Sequence, residues 1–180
     1  MPICIAMLRG INVGGQKIIK MESLRASFGA LGFRRVTIYV QSGNVIFETA
    51  KTPSDNLSKN IGDRILNDFG FSVPLVLRSS DEMKKIANDN PFLQERGIDD
   101  SKLHITFLSE LPAKTALGKL EALNEAPDQF RIKGREVYLY CPSRYGLTRL
   151  SNATFENLLS VQATTRNWRT VKTLVEMSSE

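Results

Sequence analysis

A chain of 180 residues with 42% apolar content can bury one sizeable core or two small ones, and its net charge of +5 leaves anionic partners open. The apolar stretch in MPICIAMLRG is too short to cross a bilayer and has no basic leader, so neither export nor a membrane partner is expected. A single histidine excludes a multi-histidine metal site, no metal ligands are assigned, and Cys4 and Cys141 fit buried free thiols in a reducing, cytoplasmic setting.

Residues 3–8 read as a strand. RGINVGGQK (Arg9 to Lys17) follows it, and then Met21, Leu24, Phe28 and Leu31 recur at helical spacing before Gly32. In RRVTIYVQSGNVIFET, Val36, Ile38 and Val40 alternate with polar partners, Ser42-Gly43 supplies a turn, and Val45 and Phe47 resume the alternation of a β-hairpin. Thr52, Pro53 and Asp55 open a second helix with Leu57, Ile61, Ile65 and Phe69 on one face, and FSVPLVL is a further strand. This βαββαβ order is that of a ferredoxin-like unit.

A short helix with a capping box from Ser79 to Glu82 ends at NDNP. KLHITFL then reads as a strand, 113–124 as a helix, QFRI and EVYLYC as a hairpin about Lys133-Gly134, and 152–160 as a helix, with another helix from Trp168. The second half shows no evident closing strand. The expected fold is α+β: two ferredoxin-like, βαββαβ-type lobes with antiparallel sheets. They divide as an N-terminal lobe (1–80), a connector helix and loop (81–101), and a C-terminal lobe with an extra helix (102–180).

Cations gather toward both ends. Residues 1–35 carry six Lys/Arg against one Glu, residues 36–130 ten against fourteen acids, and residues 131–172 eight against two. In a ferredoxin-like sheet the first two strands run parallel, so RGINVGGQK and QSGN should emerge at one edge. There Gly14 and Gly15 allow close backbone approach, and Arg9, Asn12, Lys17, Ser42 and Asn44 supply donors. Lys17 and Lys20 flank the start of the first helix, and Arg166 and Arg169 that of the last, where a positive dipole end favours an anion. The glycine stretch matches neither the Walker pattern nor the dinucleotide fingerprint.

LRGINVGG (Leu8 to Gly15), QSGNVIF (Gln41 to Phe47) and ATTRNWRTV (Ala163 to Val171) together resemble three signatures of the domain of unknown function 1697 (DUF1697) family. The resemblance covers essentially the whole chain. It implies two ferredoxin-like lobes and no established activity or cofactor.

An enzyme is neither required nor excluded, because His104, the one side chain that titrates near neutrality unperturbed, alternates with Leu103, Ile105 and Phe107 and faces away from that apolar set. The first hypothesis is a small phosphorylated or carboxylated ligand bound by Arg9, Asn12, Gly14, Gly15, Lys17, Ser42 and Asn44, with Thr165, Arg166, Asn167 and Arg169 as candidates to complete the site. The alternative for the last four is that Thr165 or Asn167 caps a helix while Trp168 packs inward. A second hypothesis is RNA or single-stranded nucleic acid on a sheet face carrying Arg131, Lys133, Tyr138 and Tyr140. A third is a non-catalytic interaction module.

Overall fold

The computed structural model describes residues 1–50 and 55–180. They form two compact units, Met1–Lys84 with Leu174–Glu180, and Lys85–Thr173. Thr52 and Pro53, read as part of a helix start, lie outside the described residues.

The first unit contains β1 (Ile3–Leu8), α1 (Met21–Ala30), β2 (Arg34–Tyr39), β3 (Asn44–Glu48), α2 (Asp55–Phe69) and β4 (Leu75–Ser79). Its sheet order is β2-β3-β1-β4 with every neighbouring pair antiparallel, so β1 and β2 run in the same direction. One sheet face supplies Cys4, Ala6, Leu8, Val45, Phe47, Leu75 and Leu77 to a core completed by Leu24 and Phe28 of α1 and Leu57, Ile61 and Ile65 of α2. The period-two set from the strands thus meets the 3.6-period sets from the helices. At the edge strand β2 the register shifts between Arg34 and Thr37, and Arg35 takes φ +49°, a bulge that interrupts an otherwise open edge.

The chain continues through α3 (Ser80–Asn88), whose capping box forms in both directions: Ser79 N donates to Glu82 Oε2 (2.7 Å), and Glu82 N donates to Ser79 Oγ (3.1 Å). The second unit contains β5 (Leu103–Leu108), α4 (Lys114–Glu121), β6 (Gln129–Lys133), β7 (Glu136–Tyr140), α5 (Asn152–Leu159) and β8 (Ala163–Asn167), followed by α6 (Trp168–Met177). Its order, β6-β7-β5-β8, repeats that of the first sheet, again all antiparallel. Phe130, Val137, Leu139 and Leu108 pack with Leu120 of α4 and Phe155 and Leu159 of α5.

The two ferredoxin-like lobes are therefore present, and the closing strand missing from the sequence reading is ATTRN. Four consecutive polar residues hid it. Thr164 and Arg166 are buried, and the Thr165 hydroxyl is hydrogen-bonded, so polar groups here occupy positions usually held by apolar strand residues.

Candidate functional site

In the first unit the β1–α1 connection is anchored at both ends by core residues, Ile11 and Ile19, and projects between them. Val13 and Gln16 form an isolated bridge, with Gln16 N donating to Val13 O (3.1 Å). Gly14 (φ +60°) and Gly15 (φ +73°) fill the two central places, the positive-φ pattern of a type I′ hairpin turn. Turn geometry accounts for this glycine pair without any ligand.

Asn12 holds the projection in place. Its Oδ1 accepts from Ile19 N (2.9 Å), while Nδ2 donates to Ile19 O (3.1 Å) and to Gln41 O (2.9 Å). One amide side chain closes the loop on itself and ties it to the β2–β3 turn. The two motifs do meet at one edge, as parallel β1 and β2 require. Gly43, at φ +86°, completes the contact: its carbonyl meets β1, where Leu8 N donates to Gly43 O (2.8 Å). A Cβ on Gly43 would lie 2.7 Å from Ile11 Cδ1 and 3.0 Å from Leu8 Cβ. Only glycine fits.

Several expected ligand donors are thus engaged in self-structure. Asn44 is fully buried, and its Nδ2 donates to Tyr39 O (3.0 Å) and Ser42 Oγ (3.3 Å). Lys17 Nζ donates to Ser72 O (2.9 Å). Arg9 is half-buried, with its own N donating to Pro74 O (2.9 Å). Among the described residues neither Lys17 nor Lys20 pairs with a carboxylate. Lys20 is the N-cap of α1 and contributes no side-chain cap, with Glu22 the acid of the first turn. Lys20 was absent from the candidate set although the helix start pointed to it. The exposed apolar residues Val13 (64% exposed) and Ile18 (65%) beside the stapled positions had no sequence signal, because loop residues follow no burial period, whereas Val40, read with Val36 and Ile38 as part of the strand alternation, lies just past the end of β2 at φ +53° and is 47% exposed.

Thr165, Arg166, Asn167 and Arg169 belong to the second unit. Thr165 Oγ1 bonds Thr106 Oγ1 (2.7 Å) and donates to Asn152 Oδ1 (2.7 Å). Asn167 Oδ1 accepts from Thr170 N (2.8 Å), capping α6, and Trp168 is buried, as the capping alternative has it. Arg166 lies on β8 rather than at the loop before a helix. It is 8% exposed, with Nη1 donating to Thr164 Oγ1 (2.8 Å) and Thr165 O (3.0 Å), and burial lowers its pKa to about 10. Arg169 is exposed. Cations at a helix start are moreover not confined to the first and last helices, since α4 likewise begins with Lys114 and without an acid in its first turn.

Arg131 pairs with Tyr138 across β6 and β7, and Lys133 and Tyr140 share that face, as the alternation requires. Within the unit this face is occupied. Tyr138 is 1% exposed and its hydroxyl donates to Ile86 O (2.9 Å). Lys133 Nζ donates to Asp89 O (2.8 Å), and Arg131 bonds Glu95 Oε1 (3.2 Å) while lying 4.9 Å from the Phe92 ring centroid. Residues 86–95 therefore cover the surface proposed for stacked bases, and their apolar anchors Ile86 and Phe92 explain why.

His104 takes the face opposite Leu103, Ile105 and Phe107 and stacks on Tyr145, with ring centroids 4.6 Å apart. Its Nδ1 is buried without a hydrogen-bond partner, and desolvation lowers its pKa against the opposing effect of the Lys102 carbonyl. A neutral, stacked ring is the result. Burial also pushes the thiols of Cys4 and Cys141 up to about 11, which keeps them protonated and unreactive. Among the described residues no group of His, Cys, Asp and Glu could hold a metal ion, and no helix is long and apolar enough to cross a membrane.

The model of the family described as "Protein of unknown function (DUF1697)" matches residues 1–138. Among solved structures, the conserved bacterial protein SP0830 from Streptococcus pneumoniae is similar over 98% of each chain, with a TM-score of 0.79 at 20% identity, a likeness of fold. Among curated proteins, none matches.

Proposed function

The chain belongs to the DUF1697 family of proteins of unknown function, and from that premise we propose that its first unit binds a small phosphorylated or carboxylated ligand at the β1–α1 projection. The observation that carries the proposal is a comparison within the molecule. Both units have the same sheet, yet the second joins its first strand to its first helix through residues 109–113, five in number, whereas the first uses residues 9–20, twelve. The fold does not need the added length. Extra loop on a rigid scaffold is where binding groups concentrate. The added residues carry Lys17, end at Lys20 and include Gly14 and Gly15, whose amides make no backbone hydrogen bond among the described residues. The shorter loop carries Glu110 instead.

Asn12, Ser42, Asn44 and Gly43 shape the site rather than touch the ligand in this reading; Lys17, Lys20 and the glycine amides touch it, with Arg9 beside them. The reduced, buried thiols support a cytoplasmic setting. The test is a thermal-shift series at constant ionic strength with phosphate, pyrophosphate and phosphorylated or carboxylated small molecules. A saturable rise in Tm is expected, diminished in Lys17→Ala and Lys20→Ala and kept in the control Lys59→Ala. No rise with any of these anions overturns the proposal. A non-catalytic interaction surface is the second reading, favoured by the exposed Val13, Ile18 and Val40 around the same staple, and a flat response to small anions would turn attention to it.

A further inference from the structure

The first unit has a concavity at the opposite end of its sheet from the glycine hairpin, where β1 and β2 begin and α1 ends. It is half open to solvent, holds about 430 Å³ and is lined by Leu31, Phe33, Arg34, Thr49, Leu57 and Asn60, among others. That volume falls within the range of small-molecule sites. Leu57 is buried at its floor, and Phe33 is fixed by stacking on Phe47 at 4.5 Å between ring centroids. The wall is therefore apolar and rigid.

Charge at this cavity is one-sided. Arg34 faces Glu48 in the β2–β3 register, but Glu48 Oε1 accepts from Arg35 Nη1 instead (3.1 Å). The bulge at Arg35 sets two adjacent arginines side by side and neutralises only one. Among the described residues Arg34 has no ion pair and no carboxylate lines the cavity. Asn60 adds an amide that makes no hydrogen bond among the described residues. A guanidinium and an amide next to an aliphatic and aromatic wall match a molecule with a carboxylate at one end and an apolar body at the other.

We propose that this cavity binds a small monocarboxylate with an aliphatic or aryl body, the carboxylate on Arg34 and Asn60 and the body against Leu31, Phe33 and Leu57. The site is separate from the hairpin at the other sheet end, and its ligand needs no phosphate. Backbone-amide NMR titration of the full chain with octanoate, and in parallel with 1-octanol, tests it. Octanoate should give saturable shifts at residues 31–34, Thr49 and Asn60, and should bind about tenfold more tightly than 1-octanol. Arg34→Met, which keeps the apolar stem, should erase that difference, while Arg35→Met should keep it. Equal affinity for the two probes in the unsubstituted chain, shifts confined to other residues, or no saturable shift each overturns the proposal.

Discussion

Replacing Gly43 by alanine is expected to destabilise the first unit more than any other single methyl added to its loops. Two costs combine. An alanine held at φ +86° loses about 1–2 kcal/mol relative to glycine. The new Cβ, 2.7 Å from Ile11 Cδ1 and 3.0 Å from Leu8 Cβ, meets core atoms that are themselves packed, so overpacking adds about 1–3 kcal/mol. The sum is about 2–5 kcal/mol. Gly15→Ala isolates the first cost, because its Cβ would meet nothing within 4 Å at φ +73°; about 1–2 kcal/mol is expected there. Equilibrium urea denaturation at fixed m measures both. Combining Gly43→Ala with Ile11→Val removes the atom at 2.7 Å, so the double variant should lose about 1 kcal/mol less than the two single losses together. A Gly43→Ala loss no larger than that of Gly15→Ala, or strict additivity in the double variant, refutes the close approach of the two motifs.

Asn12→Ala removes an acceptor and two donated bonds, and should cost about 2–4 kcal/mol while releasing the Ile19 amide to fast hydrogen exchange; unchanged exchange at Ile19 would contradict the staple. Val40, β-branched and 47% exposed at φ +53°, should gain about 1 kcal/mol of stability in denaturant melts when replaced by glycine, and a loss there would contradict the left-handed backbone. His104, whose folded pKa is lowered chiefly by burial, binds its proton more readily unfolded. Its contribution is intact above about pH 6.5 and is lost as pH falls toward the folded pKa, so His104→Gln should flatten the stability profile in that acidic window. An unaltered profile would refute the buried, neutral ring.

Much of the scaffold was legible because its signals are local. The alternation in Val36, Ile38, Val45 and Phe47, the helical spacing of Leu57, Ile61 and Ile65, and the Ser79–Glu82 box each needed only neighbours in sequence. The meeting of RGINVGGQK and QSGN was legible at one remove, through the direction of β1 and β2. What was not legible depended on packing between distant segments. Nothing in QSGN shows that Asn44 is buried or that Gly43 sits against Ile11. β8 was hidden because its polar side chains find partners on Thr106, Asn152 and the backbone, which removes the apolar pattern that marks a strand. The basic, aromatic face of β6 and β7 was read correctly as a face, but its cover, residues 86–95, comes from a segment read only as a connector.

The most direct measurement is a backbone-amide NMR titration of the full chain with pyrophosphate at constant ionic strength, followed at the Gly14, Gly15, Lys20, Met21 and Glu22 amides. If the twelve-residue connection is an anion site, these amides shift together and saturably, and Lys17→Ala with Lys20→Ala removes the response. Shifts spread evenly over exposed lysines elsewhere, or none at these five amides, would leave the projection as a stapled turn with no anion to hold.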